Sequence, residues 1–247
     1  MRVFRFVFLV IMILGLSGFT ISKDYKQIKA DVVSKIKIPK WYHEGLYPDG
    51  NDIWVNNGKE GDTWIVDTDS GKITKTIKPA GSFTEGIARR DKDTFFVTDW
   101  DAKKIYISKI DGDKMFALSE KSVDPAYPAG TAWNGSNLFV ITWTRSLTGT
   151  RFHLLKMDAD LNILSTAEIG KILEPTQLAW DGNHIWISCW YSKRIYEVDI
   201  EKLEILGYLK SPAAKTTGIA WAGKYLWVTG TYDNLYKMEL EKIAGGG

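Results

Sequence analysis

The chain has 247 residues, 45% of them hydrophobic and 25% charged, which is ample for one globular body with a sizeable core. Its 32 basic residues are nearly balanced by 30 acidic ones, with no long run of either sign, so the composition argues against a nucleic-acid partner. With a single cysteine, Cys189, no internal disulfide can form and the fold must stand on packing alone.

Taken in order, the chain begins with Arg2 and Arg5 ahead of an apolar run over residues 6–16, then Ser17-Gly18 and polar Ser22-Lys23-Asp24. This pattern predicts a signal peptide over residues 1–22, cleaved between residues 18 and 22. The run falls short of the about 20 apolar residues that a membrane span needs, and no cysteine follows it to carry a lipid. An uncleaved anchor is the alternative. The expected protein is periplasmic or extracellular, free of the membrane after cleavage, and a monomer. Residues 23–30 read as a polar spacer, and residues 31–247 as a single domain.

That domain is built on a repeat. Ser82-Phe83-Thr84-Glu85-Gly86-Ile87-Ala88 has echoes in His43-Glu44-Gly45-Leu46, Ala129-Gly130-Thr131-Ala132-Trp133, Thr176-Gln177-Leu178-Ala179-Trp180 and Thr217-Gly218-Ile219-Ala220-Trp221. Each leads through a polar turn into an apolar strand: Ile53-Trp54-Val55, Phe95-Phe96-Val97, Leu138-Phe139-Val140, Ile185-Trp186-Ile187 and Leu226-Trp227-Val228. A third strand of the type Arg194-Ile195-Tyr196-Glu197-Val198 follows, then a fourth of the type Ile163-Leu164-Ser165-Thr166-Ala167. Turn residues sit between them at Asp49-Gly50, Asp111-Gly112, Asn134-Gly135 and Asp181-Gly182. A period of roughly 40 residues marks a repeat architecture. The last copy lacks its fourth strand, and residues 31–38 supply one in surplus. The expected fold is all-β, a five-bladed β-propeller whose last blade is closed by the N-terminal strand, with helix content near nil. A β-sandwich explains neither the period nor the permutation.

The repeats disagree at two columns. The first reads Glu44, Glu85, Ala129, Thr176, Thr217. First strands line a propeller's channel, so two carboxylates would approach one axial opening. Paired burial raises a carboxyl pKa and suits it to general acid–base work; the plainer alternative is that they cap backbone amides or hold a channel cation or water. The second column reads Gly58, Trp100, Trp143, Trp190, Thr231. Its tryptophans either form an apolar bowl at the channel mouth or pack between blades. His43, His153 and His184 fall at unrelated repeat positions, and no metal-ligand spacing is present. Lys59-Glu60-Gly61-Asp62 reads as a rim loop, and Arg145 follows Trp143 closely enough to reach the bowl.

At these residues the chain resembles the plant and bacterial type of glutaminyl cyclase, over roughly residues 41–239. The matching features are His43-Glu44-Gly45-Leu46 and Phe83-Thr84-Glu85-Gly86-Ile87, where the family has Phe-Thr-Gln-Gly-Leu and Phe-Gly-Glu-Gly-Leu, the turn Asn57-Gly58-Lys59-Glu60-Gly61, and Thr217-Gly218-Ile219-Ala220-Trp221. The resemblance implies a five-bladed propeller that converts the N-terminal glutamine of a peptide or protein to pyroglutamate, releasing ammonia with no cofactor or metal. It makes Glu85 the proton-transfer carboxylate, Glu44 its neighbour, Trp100, Trp143 and Trp190 the pocket walls, and Thr176 and Thr231 part of the polar lining. Two positions depart from the family: Thr231 stands where a lysine is usual, and Thr176-Gln177 where Asn-Glu is usual. The rival readings are a non-catalytic exported propeller that binds a peptide or glycan at the channel mouth, a lyase of the streptogramin-cleaving type, and a scaffold.

Overall fold

The computed structural model describes residues 25–58 and 61–241. The segment over residues 1–22 expected to be a signal peptide, together with Lys59 and Glu60 of the expected rim loop, lies outside the described residues. Among the described residues there is no helix, and the β-strands form five four-stranded antiparallel sheets. The first blade is β2 (His43–Asp49), β3 (Asp52–Asn57), β4 (Thr63–Asp67) and β5 (Ile73–Ile77). The second is β6 (Thr84–Arg89), β7 (Thr94–Asp99), β8 (Lys104–Asp111) and β9 (Lys114–Ser122), and the third is β10 (Tyr127–Trp133), β11 (Leu138–Ser146), β12 (Gly149–Met157) and β13 (Ile163–Glu168). The fourth is β14 (Pro175–Trp180), β15 (Ile185–Cys189), β16 (Arg194–Asp199) and β17 (Glu204–Lys210). The fifth combines β18 (Thr216–Ala222), β19 (Tyr225–Gly230) and β20 (Leu235–Leu240) with β1 (Ala30–Ile36), which pairs antiparallel with β20. Each first strand contacts that of the next blade, and β18 returns to β2, so the ring is closed. The fold is a five-bladed β-propeller, shut by the N-terminal strand as the permuted repeat implies.

The apolar second strands explain the packing. A strand buried on both faces reads as a continuous hydrophobic run, and successive side chains serve opposite neighbours. Phe95 and Val97 join the core shared with the first blade, whereas Phe96 joins the core shared with the third. Leu138 and Val140 face the second blade, and Phe139 and Ile141 face the fourth. Trp186 of β15 packs on the fifth blade, and Trp227 of β19 packs on the first. Each such side chain contributes about 1.5–3 kcal/mol on burial, so the core is divided into five wedges rather than one centre.

Around the axis the inner strands come so close that side chains are excluded. A Cβ at Gly130 would collide with the backbone of Gln177, and one at Gly218 with the backbone of Glu44. In the fourth blade the equivalent position is Gln177, whose side chain fills the axis instead. Its Oε1 accepts from the Thr131 amide at 2.7 Å and from Leu178 at 3.0 Å. Hydroxyl latches join the blades: Thr217 donates to the His43 carbonyl at 2.6 Å, Thr176 to that of Thr216 at 2.8 Å, and Thr98 to that of Ala129.

Part of the patternless spacer has a place in the fold. Ile28 donates to the Tyr208 carbonyl at 2.7 Å, Tyr208 donates back to Lys26 at 3.0 Å, and the Tyr25 ring meets Tyr196 edge-on. The segment thereby covers the edge strand β17, which would otherwise expose unpaired amides.

Gly130→Ala is expected to lower stability by more than about 2 kcal/mol through this overpacking. Gly112→Ala, at a turn with φ +61° and open space around it, costs about 1 kcal/mol of backbone strain. Urea unfolding of the two variants checks the difference.

Candidate active site

Every inner strand breaks register with its partner at the first variable column: between His43 and Leu46, Thr84 and Ile87, Pro128 and Thr131, Pro175 and Leu178, and Thr216 and Gly218. Such a bulge re-aims a side chain that regular alternation would bury in the sheet. In the first two blades the re-aimed residues are Glu44 and Glu85, and both line a cavity of about 290 Å³ at one mouth of the channel. Tyr42, Phe83, Trp100, Ala129, Trp143, Arg145, Glu174, Thr176, Trp190 and Tyr191 complete its lining.

Glu44 is 1% exposed, and its Oε1 is buried without a hydrogen-bond partner. Burial, followed by the nearby Glu85 carboxyl, raises its pKa well above the ordinary carboxylate range. Glu85 is enclosed by protein but keeps part of its surface on the cavity. Burial pushes it up to about 8, and the negative charges of Asp101 and Asp99 add to the effect. The Tyr42 hydroxyl is also raised, first by burial and then by Glu44 and Glu85. At neutral pH Glu85 therefore holds its proton for the most part, and Glu44 is biased in the same direction.

The walls are aromatic. Trp100 meets Trp143 edge-on at 5.5 Å between ring centres and lies 5.0 Å from Tyr127. Trp143 also packs on Phe152 at 4.9 Å and donates its indole N–H to the Pro175 carbonyl at 2.8 Å, tying the third blade to the fourth. The two readings of the tryptophan column are thus both realised: these rings hold blades together and line the bowl. Gly58 is the column member without a side chain, because a Cβ there would strike the Phe83 ring.

Two expected residues contribute less than the sequence implies. Thr176 lines the cavity, but its hydroxyl is committed to Ser188 and the Thr216 carbonyl, both at 2.8 Å. Thr231 does not line the cavity; its Oγ1 is buried without a partner, and the adjacent Tyr232 donates its amide to the Trp41 carbonyl and stacks edge-on against Tyr42. The structure adds Tyr42, Glu174 and Tyr191 to the lining. Tyr42, Phe83, Tyr127, Glu174 and Lys215 each stand two positions before the first variable column, a pattern visible in the repeats. Glu174 sits at φ 52°, a conformation rare for a side-chain-bearing residue, and its carbonyl accepts the Trp190 amide at 3.0 Å.

The histidines lie elsewhere. His43 is held beneath the rim by Asn57 at 2.9 Å and the Pro39 carbonyl at 3.0 Å. His184 comes together with Asp181 and Glu197, the one group among the described residues with metal-ligating side chains within reach of each other. The Asp181 carboxylate there is already occupied by the Trp186 indole and two backbone amides. Cys189 is fully buried, and burial raises its thiol to about 12, so it is no nucleophile.

No family model matches the chain, and no curated protein matches it. Solved structures do. The fold is shared with a bacterial glutaminyl cyclase. The Myxococcus xanthus glutaminyl cyclase superposes with a TM-score of 0.70 at 14% identity, covering 89% of this chain and 99% of that one. A luciferin-regenerating enzyme follows at TM-score 0.57 and 13% identity over 88% of this chain and 96% of its own. The PQQ-bound aldose sugar dehydrogenase of Streptomyces coelicolor matches at TM-score 0.54 and 11% identity, covering 87% and 99% of the two chains. Structures named for different activities therefore resemble this chain in fold, and the site has to be argued from its own residues.

The raised carboxyl groups make stability depend on pH in a definite direction. Between 4.5 and about 8 the folded chain keeps a proton on Glu85 that the unfolded chain has released, so stability falls as pH rises through that window. Melting temperatures from pH 5 to 9 should decline in the native protein and decline less in Glu44→Gln/Glu85→Gln, as scanning calorimetry would reveal.

Proposed function

We propose that the protein is a glutaminyl-peptide cyclotransferase, closing the N-terminal glutamine of a peptide or protein to pyroglutamate in the tryptophan-lined cavity. The observation that carries this reading is the placement of two buried carboxyl groups with raised pKa, Glu44 and Glu85, in one aromatic bowl. The likeness in fold to the Myxococcus enzyme supports it.

In this reaction the α-amine nitrogen attacks the side-chain amide carbon. A C–N bond forms within the new ring, and the bond to the amide nitrogen breaks. Ammonia leaves with the proton that it needs, and the ring nitrogen gives one up. Glu85, protonated below about 8, donates to the departing nitrogen. The carboxylate so formed takes the proton from the former amine, which returns the residue to its starting state. Glu44, without a protein partner for Oε1, offers a donor or acceptor to the substrate. The tryptophan walls exclude water and fold the glutamine side chain back on the amine; such positioning is a large share of the catalysis in a ring closure.

The α-amine must be neutral to attack, and its ordinary pKa is about 7.7–8.0. The acid form of Glu85 is lost above about 8. The expected profile of kcat/KM is therefore bell-shaped, with its maximum near pH 8. Ammonia release from a peptide with N-terminal glutamine tests the assignment, with Glu85→Gln as the control. That variant should remain folded by near-ultraviolet circular dichroism while turnover falls by about 10²–10⁴. Retained turnover in the variant would remove Glu85 from the chemistry.

A propeller that binds a peptide or glycan without turnover is the second reading. It is favoured by Thr231 standing outside the cavity and by the commitment of the Thr176 hydroxyl, which leave few polar groups to orient an amide. Tight binding of a glutamine peptide with no ammonia released would select it.

A further inference from the structure

We propose that Arg145 makes the cavity selective for substrates that carry a carboxylate just beyond their N-terminal residue, an inference that rests on the cyclisation reading above. Arg145 lies two positions after Trp143 on β11 and therefore emerges on the same face of that strand. It lines the cavity, near the tip of the β11–β12 hairpin where Leu147 is fully exposed. Its guanidinium stands over two rings, 5.4 Å from the centre of Trp100 and 5.1 Å from that of Tyr127.

Two arginines elsewhere in the ring have acidic partners. Arg89 pairs with Asp49 at 3.0 Å and Arg90 with Asp160 at 3.5 Å. Among the described residues Arg145 forms no ion pair with a carboxylate, and its contacts are aromatic. Contact with two adjoining rings, whose centres are 5.0 Å apart, restrains the guanidinium from one side, so less freedom is lost when an anion binds. A planar fork of this kind suits a carboxylate taken in two parallel hydrogen bonds.

The placement of hydrogen-bonding groups gives the direction. Glu44, Glu85 and Glu174 line the same cavity as Arg145 and offer acceptors to an amine. A molecule that places its amino end against the acidic side and an acidic group one residue further along the mouth matches this polarity. The acid has two sources, the side chain of an Asp or Glu at the second position and the terminal carboxylate of a dipeptide.

The test measures ammonia release and binding for the same peptides, binding being followed by quenching of the tryptophan fluorescence of the cavity. The peptides are Gln-Glu-amide, Gln-Gln-amide, Gln-Lys-amide and the dipeptide Gln-Gln with a free carboxylate. The expected kcat/KM for the better acidic peptide is about tenfold above that for Gln-Gln-amide, the size of one charge-assisted contact, and the ratio shrinks with added salt. The better of the two acidic peptides identifies the source of the carboxylate. Arg145→Met should bring the ratio close to one; because a ratio between peptides is read, a general loss of stability does not imitate this result. Equal kcat/KM for all four peptides, or a preference for Gln-Lys-amide, overturns the role of Arg145 and leaves cyclisation standing. Binding of an acidic peptide about tenfold tighter than Gln-Gln-amide, with no ammonia from either, keeps Arg145 and overturns cyclisation. No turnover and no binding overturns both.

Discussion

The constraint on which this propeller depends is the approach of its inner strands around the axis. At Gly130 and Gly218 the neighbouring blade's backbone occupies the space that a side chain would need. Once the strands are that close, backbone carbonyls of one blade fall within reach of hydroxyls of the next, and Thr98, Thr176 and Thr217 close the gaps. The five apolar wedges then fill outward from that ring. Gln177 is the exception that completes the arrangement. Its amide takes the volume left by the glycines and satisfies the Thr131 amide, dividing the channel between two mouths.

The same closeness builds the site. Two residues per inner strand oppose one on the partner in the first blade, so Glu44 is turned out of the sheet and toward the axis. There it meets the space bounded by the tryptophans, and no protein group answers its Oε1. A buried carboxyl without a partner is costly as an anion, so burial raises the pKa of both acids. The cost is tolerated by a fold whose blades are joined through many independent latches.

Asymmetry among equivalent positions is where function is concentrated. A ring of identical blades would present identical rims, yet the rim column runs from Tyr42, Phe83 and Tyr127 to Glu174 and Lys215. Two charged residues of opposite sign thus occupy positions that are aromatic in the first three blades. Arg145 rises on the long hairpin of the third blade and is steadied by rings from the second and third. The cavity consequently holds carboxyl groups within, Arg145 at one part of its mouth and Lys215 over Trp190 and Tyr191 at another, an arrangement that no single blade possesses.

The number of blades, the order of strands and the closure by the N-terminal strand are legible in the linear chain. These follow from local periodicity, and a strand buried on both faces or a missing fourth strand shows there directly. The sequence also marked Glu44, Glu85, Trp100, Trp143 and Trp190, because repeats expose a column that departs from its own consensus. Contacts across the ring decided that Thr231 lies outside the cavity lining, that the Thr176 hydroxyl is spent on Ser188 and Thr216, and that residues 26–28 bond to Tyr208 of β17. They also decided that Gln177 fills the axis and that Arg145 lies on Trp100 and Tyr127. The reason is geometric. Strand period tells which face a side chain takes, whereas its partners across the ring depend on how far neighbouring blades approach, and that distance is set by contacts between residues remote in the chain.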